Sequence, residues 1–198
     1  MNFPWLADYS EDALGPIQGD EALFLYAFAR VVRLERVLEF GAGHGHSARM
    51  WLETGAQVFS MDPWLSPEVR ALAGASGGRL TLIEGDMRTY EPAHTRHLPL
   101  DLVFFDAGHD AAANVATLGR LAELPPWIVI HDTGTWSREH MTATHRAFPG
   151  MPTPDGGLIH QPGEILFAHV LEHHAGLRRM DFHSTRTLRH GLTIFQRK

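Results

Sequence analysis

Three glycines stand at alternate positions, Gly41, Gly43 and Gly45, in the stretch VLEFGAGHGHSA, which joins an apolar run to a helix-like segment. Such a turn lets the backbone adopt dihedrals closed to other residues and lets a ligand approach with no Cβ in the way. Around it lie Glu39, Ala42 and Ser47. The loop lacks the Gly-Lys-Ser or Gly-Lys-Thr ending of a phosphate-cradling loop, and a Gly-x-Gly-x-x-Gly dinucleotide pattern begun at Gly41 meets His46 where its third glycine should be. Asp62, after the next apolar run, is a carboxylate able to accept from both hydroxyls of a ribose. In EGDM, Asp86 can accept from an adenine amino group and the Met87 thioether can cover the ring face. The chemistry is that of a nucleoside-like ligand.

These residues need a scaffold that brings several loop ends together, and the chain supplies alternating β-rich and helical segments. Strands are expected at 36–40, 57–61, 80–84, 100–105 and 127–131, with helices at 45–54, 66–73 and 111–123, the last capped by Asp110. A helix capped by Asp20 precedes the first strand; it is apolar nearly all round, which calls for burial by the sheet or by a second subunit in a homodimer. After the fifth strand, SREHMTATHRAF reads as helical. Residues 149–163, with four prolines, read as a surface loop or lid. A helix EILFAHVLEHH and strands at about 178–184 and 191–197 follow. The class is α/β with ligands at the carboxyl ends of parallel strands.

A chain of 198 residues that is 44% apolar buries one substantial core, so residues 1–198 are expected to form a single domain. The absence of cysteine excludes disulfides, zinc-thiolate sites and thiol nucleophiles. A net charge of -6 gives no general attraction to phosphate backbones, so nucleic acid is not an expected partner. The first residues carry no leader pattern, and no window reaches the roughly 18 apolar residues of a membrane span. The expected setting is cytoplasmic, without a membrane partner.

The order of these motifs resembles the class I S-adenosylmethionine-dependent methyltransferases over about residues 20–132, and GAGHGHSA is similar to the version in small-molecule O-methyltransferases. The resemblance implies a Rossmann-like, seven-stranded, mostly parallel sheet of order 3-2-1-4-5-7-6, with helices on both faces. Its antiparallel final strand would come from a hairpin, RRMDFHSTRTLRHGLTIFQRK, with Gly191 supplying a turn conformation. It also implies a donor pocket made by Glu39, Gly41, Ala42, Gly43, Ser47, Asp62, Asp86, Met87 and Asp106.

In that strand order FFDAGHD and IVIHDTG end adjacent strands, about 4.8 Å apart, so Asp106 and Asp132 emerge side by side. Paired carboxylates repel unless protonated or bridged, and a hard divalent cation is the natural bridge. An ion there would hold an acceptor hydroxyl beside the donor and lower its pKa. This part resembles the metal-dependent O-methyltransferases acting on catechols and on sugars of natural products, where an acid after the fourth strand and an acidic pair, or Asp-Asn, after the fifth carry Mg²⁺. The spacing from Asp106 to His109 is similar to the sugar-modifying branch and implies His109 as general base. His131 departs from the pattern, standing where an acid is common. Three readings follow: Mn²⁺ or Fe²⁺ on Asp106, His131 and Asp132; an ion on the two aspartates alone; or no ion. His44 and His46 read as surface residues at the turn and the first helical position, and His173 and His174 as complements to a helix dipole.

The expected activity is methyl transfer from S-adenosylmethionine to a hydroxyl of a small molecule, chosen by loops 88–99 and 133–163. The competing expectations are a metal-independent methyltransferase acting on nitrogen or another atom, and a donor-binding protein without turnover. A nicotinamide oxidoreductase is a third, weakened by His46.

Overall fold

The computed structural model describes residues 3–9, 17–136, 150–159, 161–182 and 191–198. Its central sheet contains β1 (Arg36–Phe40), β2 (Gln57–Asp62), β3 (Leu80–Glu84), β4 (Leu102–Phe105), β5 (Trp127–His131), β9 (Leu177–Phe182) and β10 (Leu192–Arg197). The spatial order is β3-β2-β1-β4-β5-β10-β9, which is the expected 3-2-1-4-5-7-6 when these seven are counted along the chain. The first five strands run parallel, and β10 pairs antiparallel with both β5 and β9. No helix among the described residues is long and apolar enough to cross a membrane.

Parallel strands covered on both faces must be apolar on both sides, and successive residues here serve opposite cores. Phe104 packs edge-on against Trp51 at 5.7 Å, and Phe105 against Phe167 at 5.0 Å. Trp51 lies on α2 (His46–Glu53) and Phe167 on α5 (Pro162–Glu172), so two adjacent rings of β4 pin one helix on each face. Helices α1 (Gly19–Val32) and α3 (Pro67–Ala75) share the Trp51 face, where Ala22, Leu25, Ala29 and Val69 are buried. Helix α4 (Ala111–Leu118) shares the Phe167 face. Fully burying such a ring stabilises by roughly 1.5–3 kcal/mol, and here the same burial fixes where Asp106, the next residue, leaves the sheet.

Asp110 caps α4, accepting from Ala113 N–H at 3.0 Å. The cap of α1 is corrected: the helix begins at Gly19 behind Gln18, and Glu21 reaches back to accept from Gln18 N–H at 3.0 Å, leaving Asp20 in the first turn. Within the chain the sheet side of α1 is covered, with Ala22, Leu25 and Ala29 buried, while Val31 is 81% exposed. Helix α4 ends at Leu118 rather than 123, closed by Gly119, whose N–H donates to Val115 O at 3.0 Å. Ser66 caps α3, which extends to Ala75. The turn-rich stretch after position 149 contains two short strands, β7 (Met151–Pro152) and β8 (Leu158–Ile159), which join β6 (Thr135–Trp136) in a three-stranded sheet. Helix α5 then starts at Pro162 rather than Glu164. The helix expected at 137–148 and the turn before Gly191 lie outside the described residues.

Candidate active site

Backbone pairing continues past the strand ends and ties their loops together. Gly41 N–H donates to Met61 O at 2.9 Å, Asp106 N–H to Phe40 O at 2.9 Å and Gly85 N–H to Asp62 O at 3.0 Å. Gly41 has φ +101, and a Cβ built there would lie 1.9 Å from the Asp106 carbonyl oxygen. Only glycine fits, and the glycine loop is thereby pressed onto the end of β4. Gly43, by contrast, faces open space, and its N–H donates to Asp62 Oδ2 at 3.1 Å. The other Asp62 oxygen accepts from Trp64 N–H at 2.8 Å. Asp62 is thus oriented by two backbone donors at the mouth of the loop.

Beneath the loop, Ala42 and Ser47 are buried and Glu39 is fully so. Glu39 Oε2 accepts from Ser60 Oγ, while Oε1 has no hydrogen-bond partner among the described residues. Burial drives the Glu39 pKa up to about 7, against the pull of the Ser47 and Ser60 hydroxyls.

Among the loops that follow β2, β3 and β4, a cavity of about 220 Å³ has Met61, Pro63, Asp86, Met87, Ala107 and Gly108 in its lining. Asp86 accepts from the backbone N–H and guanidinium of Arg88, whose hydrogen bonds pull its pKa down to about 2. Met87 is buried, with its Cε 2.6 Å from where a Gly108 Cβ would stand. A larger cavity, about 580 Å³, lies between α2 and α3 and includes Arg49, Glu53, Glu68 and Arg79 in its lining. It shares His44, Gly45 and His46 with the glycine loop, but none of Glu39, Asp62, Asp86 or Asp106 lines it.

At the ends of β4 and β5, Asp106, His131 and Asp132 each present a ligand atom within 4.8 Å of the others. His131 Nδ1 lies 2.9 Å from Asp106 Oδ1 and 3.5 Å from Asp132 Oδ1. Asp132 reaches this position through a left-handed backbone, φ +60, immediately after β5. The other ring nitrogen, Nε2, lies 3.2 Å from Glu21 Oε2 of α1. Burial opposes charge on the ring, but Asp106, Asp132 and Glu21 outweigh it and raise the His131 pKa well above the ordinary imidazole value. Glu21 is fully buried and also accepts from Gly191 N–H at 2.8 Å.

His109, with φ +38, is half exposed, and its Nδ1 lies 2.8 Å from Oε1 of the buried Glu164 on α5. The hydrogen bond that Glu164 accepts raises the His109 pKa, against burial. Asp106 and Asp132 emerge side by side as the strand order implies, with His131 in the same group, whereas the partners Glu21 and Glu164 were not anticipated from the sequence. His44 is exposed beside Glu68, as expected, while His46 takes the expected first position of α2 but is half-buried rather than at the surface.

No protein-family model and no curated protein matches the sequence. Solved structures do match over nearly the whole chain. An S-adenosylhomocysteine-bound methyltransferase of Podospora anserina, PaMTH1, is 21% identical, covering 98% of this chain and 85% of its own, with a TM-score of 0.66. The O-methyltransferase TomG of Streptomyces achromogenes, bound to S-adenosylmethionine, is 15% identical, covering 100% and 91%, with a TM-score of 0.68. The fold is that of the class I methyltransferases. A Burkholderia thailandensis 1,6-didemethyltoxoflavin-N1-methyltransferase shares it at 20% identity, covering 89% and 76%, with a TM-score of 0.56. The methyltransferase fold therefore serves nitrogen as well as oxygen acceptors, and the fold by itself assigns neither.

Proposed function

We propose that this protein transfers a methyl group from S-adenosylmethionine to a hydroxyl of a small molecule, with a divalent ion held by Asp106, His131 and Asp132. The observation that carries the reading is the contact of Gly41 with the Asp106 carbonyl, which sets the acid and histidine cluster directly against the glycine loop. The site's own gaps fit the donor. The 220 Å³ cavity beside Met87 suits a purine, the Asp62 carboxylate suits ribose hydroxyls, and the unsatisfied Glu39 oxygen suits a cationic amine. The donor, when bound, supplies an electrophilic methyl on a sulfonium.

For the ion, the spacings of 2.9 and 3.5 Å between neighbouring ligand atoms are those of a coordination edge, and two carboxylates with one imidazole suit a nitrogen-tolerant divalent cation. Glu21 on the remote ring nitrogen is the partner a ligating histidine ordinarily has. Such an ion would supply Lewis acidity toward an acceptor oxygen. The chain's own contribution is to orient: Asp106 and Asp132 fix the acceptor side, while His109 stands half exposed to take the hydroxyl proton.

A metal-free transferase is the second reading, favoured by one observation. With Nδ1 on Asp106 and Nε2 on Glu21, a protonated His131 is already a buried cation between the carboxylates. One experiment separates the two. Calorimetry with S-adenosylhomocysteine establishes donor binding, and labelled methyl transfer to a panel of catechols and hydroxylated sugars is run with chelator and with restored Mg²⁺ or Mn²⁺. Activity that vanishes with chelator and returns with metal supports the first reading. Undiminished chelated activity selects the second, and absence of donor binding overturns both.

A further inference from the structure

We infer that Glu164 is a positioning residue for His109, forming with it a carboxylate–imidazole dyad that aims Nε2 at the acceptor hydroxyl; the inference rests on the methyl-transfer reading above. A glutamate in the first turn of a helix ordinarily stays in water, where it complements the helix dipole. Glu164 instead is 1% exposed, and Oε1 lies 2.8 Å from His109 Nδ1. Its second oxygen has no hydrogen-bond partner among the described residues, so the imidazole is what compensates its burial.

The backbone repeats the fit independently. A Cβ at Gly163 would lie 2.0 Å from the His109 carbonyl oxygen, so this turn of α5 presses directly on the His109 peptide. His109 itself holds φ +38, a region that nonglycine residues enter only when their surroundings enforce it. Two consecutive residues of α5 thus grip His109, one by its main chain and one by its ring. The grip comes from a residue 55 positions along the chain.

A carboxylate on Nδ1 holds the proton there, which leaves the Nε2 lone pair as the base. As the acceptor oxygen forms its bond to the methyl carbon, its proton passes to Nε2, and the electron pair of the broken carbon–sulfur bond stays on sulfur. The imidazolium that results faces Glu164, Asp106 and Asp132, all of which favour its charge, and its half-exposed edge returns the proton to water.

The test reads the ring directly, without turnover. Nitrogen-15 NMR of the folded protein, with His109 assigned by comparison with His109→Gln, is expected to show the neutral ring protonated at Nδ1. Glu164→Gln should shift it toward the Nε2-protonated form that prevails in water. A wild-type ring protonated at Nε2, or one unchanged in Glu164→Gln, overturns the dyad, whatever the protein's activity. In steady-state assays with an acceptor that is turned over, Glu164→Gln should lower kcat about 10- to 100-fold with little change in acceptor KM or in S-adenosylhomocysteine affinity. Glu164→Asp should recover part of kcat. A loss confined to KM or to donor affinity would overturn the positioning role. A dyad seen by NMR in a protein that methylates nothing would leave the dyad standing and bring down the functional reading instead.

Discussion

His131 Nε2 lies 3.2 Å from Glu21 Oε2, joining the first helix to the end of the fifth strand across 110 residues of chain inside the core. Glu21 also accepts from Gln18 N–H and Gly191 N–H, so a single carboxylate holds together the helix start, the ring and the start of β10. Removing one partner of a buried ion pair leaves the other charge uncompensated, at about 3–5 kcal/mol. Glu21→Ala is expected to lose stability on that scale in urea unfolding, and Glu21→Gln, which keeps the shape, less. A loss below about 1 kcal/mol for Glu21→Ala would mean that the network is not what ties these elements together.

What was legible in the sequence is what local chemistry determines. A strand that ends in glycines, an acid after an apolar run and an aspartate before a helix each announce themselves within a few residues, which is why Gly41, Asp62, Asp106 and the Asp110 cap could be read. Glu21 and Glu164 could not, because each is an ordinary first-turn glutamate until a histidine 110 or 55 residues away meets it. The local signals are the apolar run ALFLYAF that follows Glu21 and the Pro-Gly that precedes Glu164. The cap at Asp20 was misread for the same reason: Asp is a good cap, but Glu21 satisfies the Gln18 amide and moves the start. The two-residue strands β6 to β8 are too short to carry any periodicity.

Glu39 makes stability depend on pH. Its folded pKa, about 7, lies above the ordinary 4.5, so the folded state binds the proton more tightly than the unfolded chain. The contribution is fully present below about pH 4.5 and is lost as pH rises through 7, on the order of 3 kcal/mol in all. Glu39→Gln removes this dependence. Unfolding measured at pH 5 and pH 8 should show the mutant gaining on wild type at the higher pH; a gap that stays constant would contradict the buried acid's role.

Asp62 is expected to bind the donor ribose, and Asp62→Ala should weaken S-adenosylhomocysteine by about 1–3 kcal/mol in calorimetry. Because the carboxylate also accepts from Gly43 and Trp64 N–H groups, part of that loss will be loosening of the loop. Asp62→Asn keeps one acceptor oxygen and should lose less. Equal affinity in all three proteins would remove Asp62 from the pocket.

The proposed ion must compete with a proton. Against the opposing effect of burial, Asp106, Asp132 and Glu21 raise the His131 pKa well above the ordinary imidazole value, which favours a proton on both ring nitrogens when no metal is bound. Coordination through Nδ1 requires that nitrogen to lose its hydrogen, since Nε2 faces Glu21. Binding should therefore release about one proton per ion and strengthen roughly tenfold per pH unit while pH stays below the ring's pKa. Calorimetry of Mn²⁺ and Mg²⁺ binding in buffers of different ionisation enthalpy measures that proton directly. His131→Ala should abolish the release and shift preference from Mn²⁺ toward Mg²⁺, since only oxygen ligands remain. Asp132→Asn keeps an oxygen ligand but removes a charge that a hard cation prefers, so it should need more metal while its affinity for S-adenosylhomocysteine survives, the glycine loop being intact. Metal binding without proton release in wild type would place the ion on the two aspartates alone. No binding at all, with full activity under chelation, would leave protonated His131 as the site's own cation and assign proton removal to His109 without help from a metal.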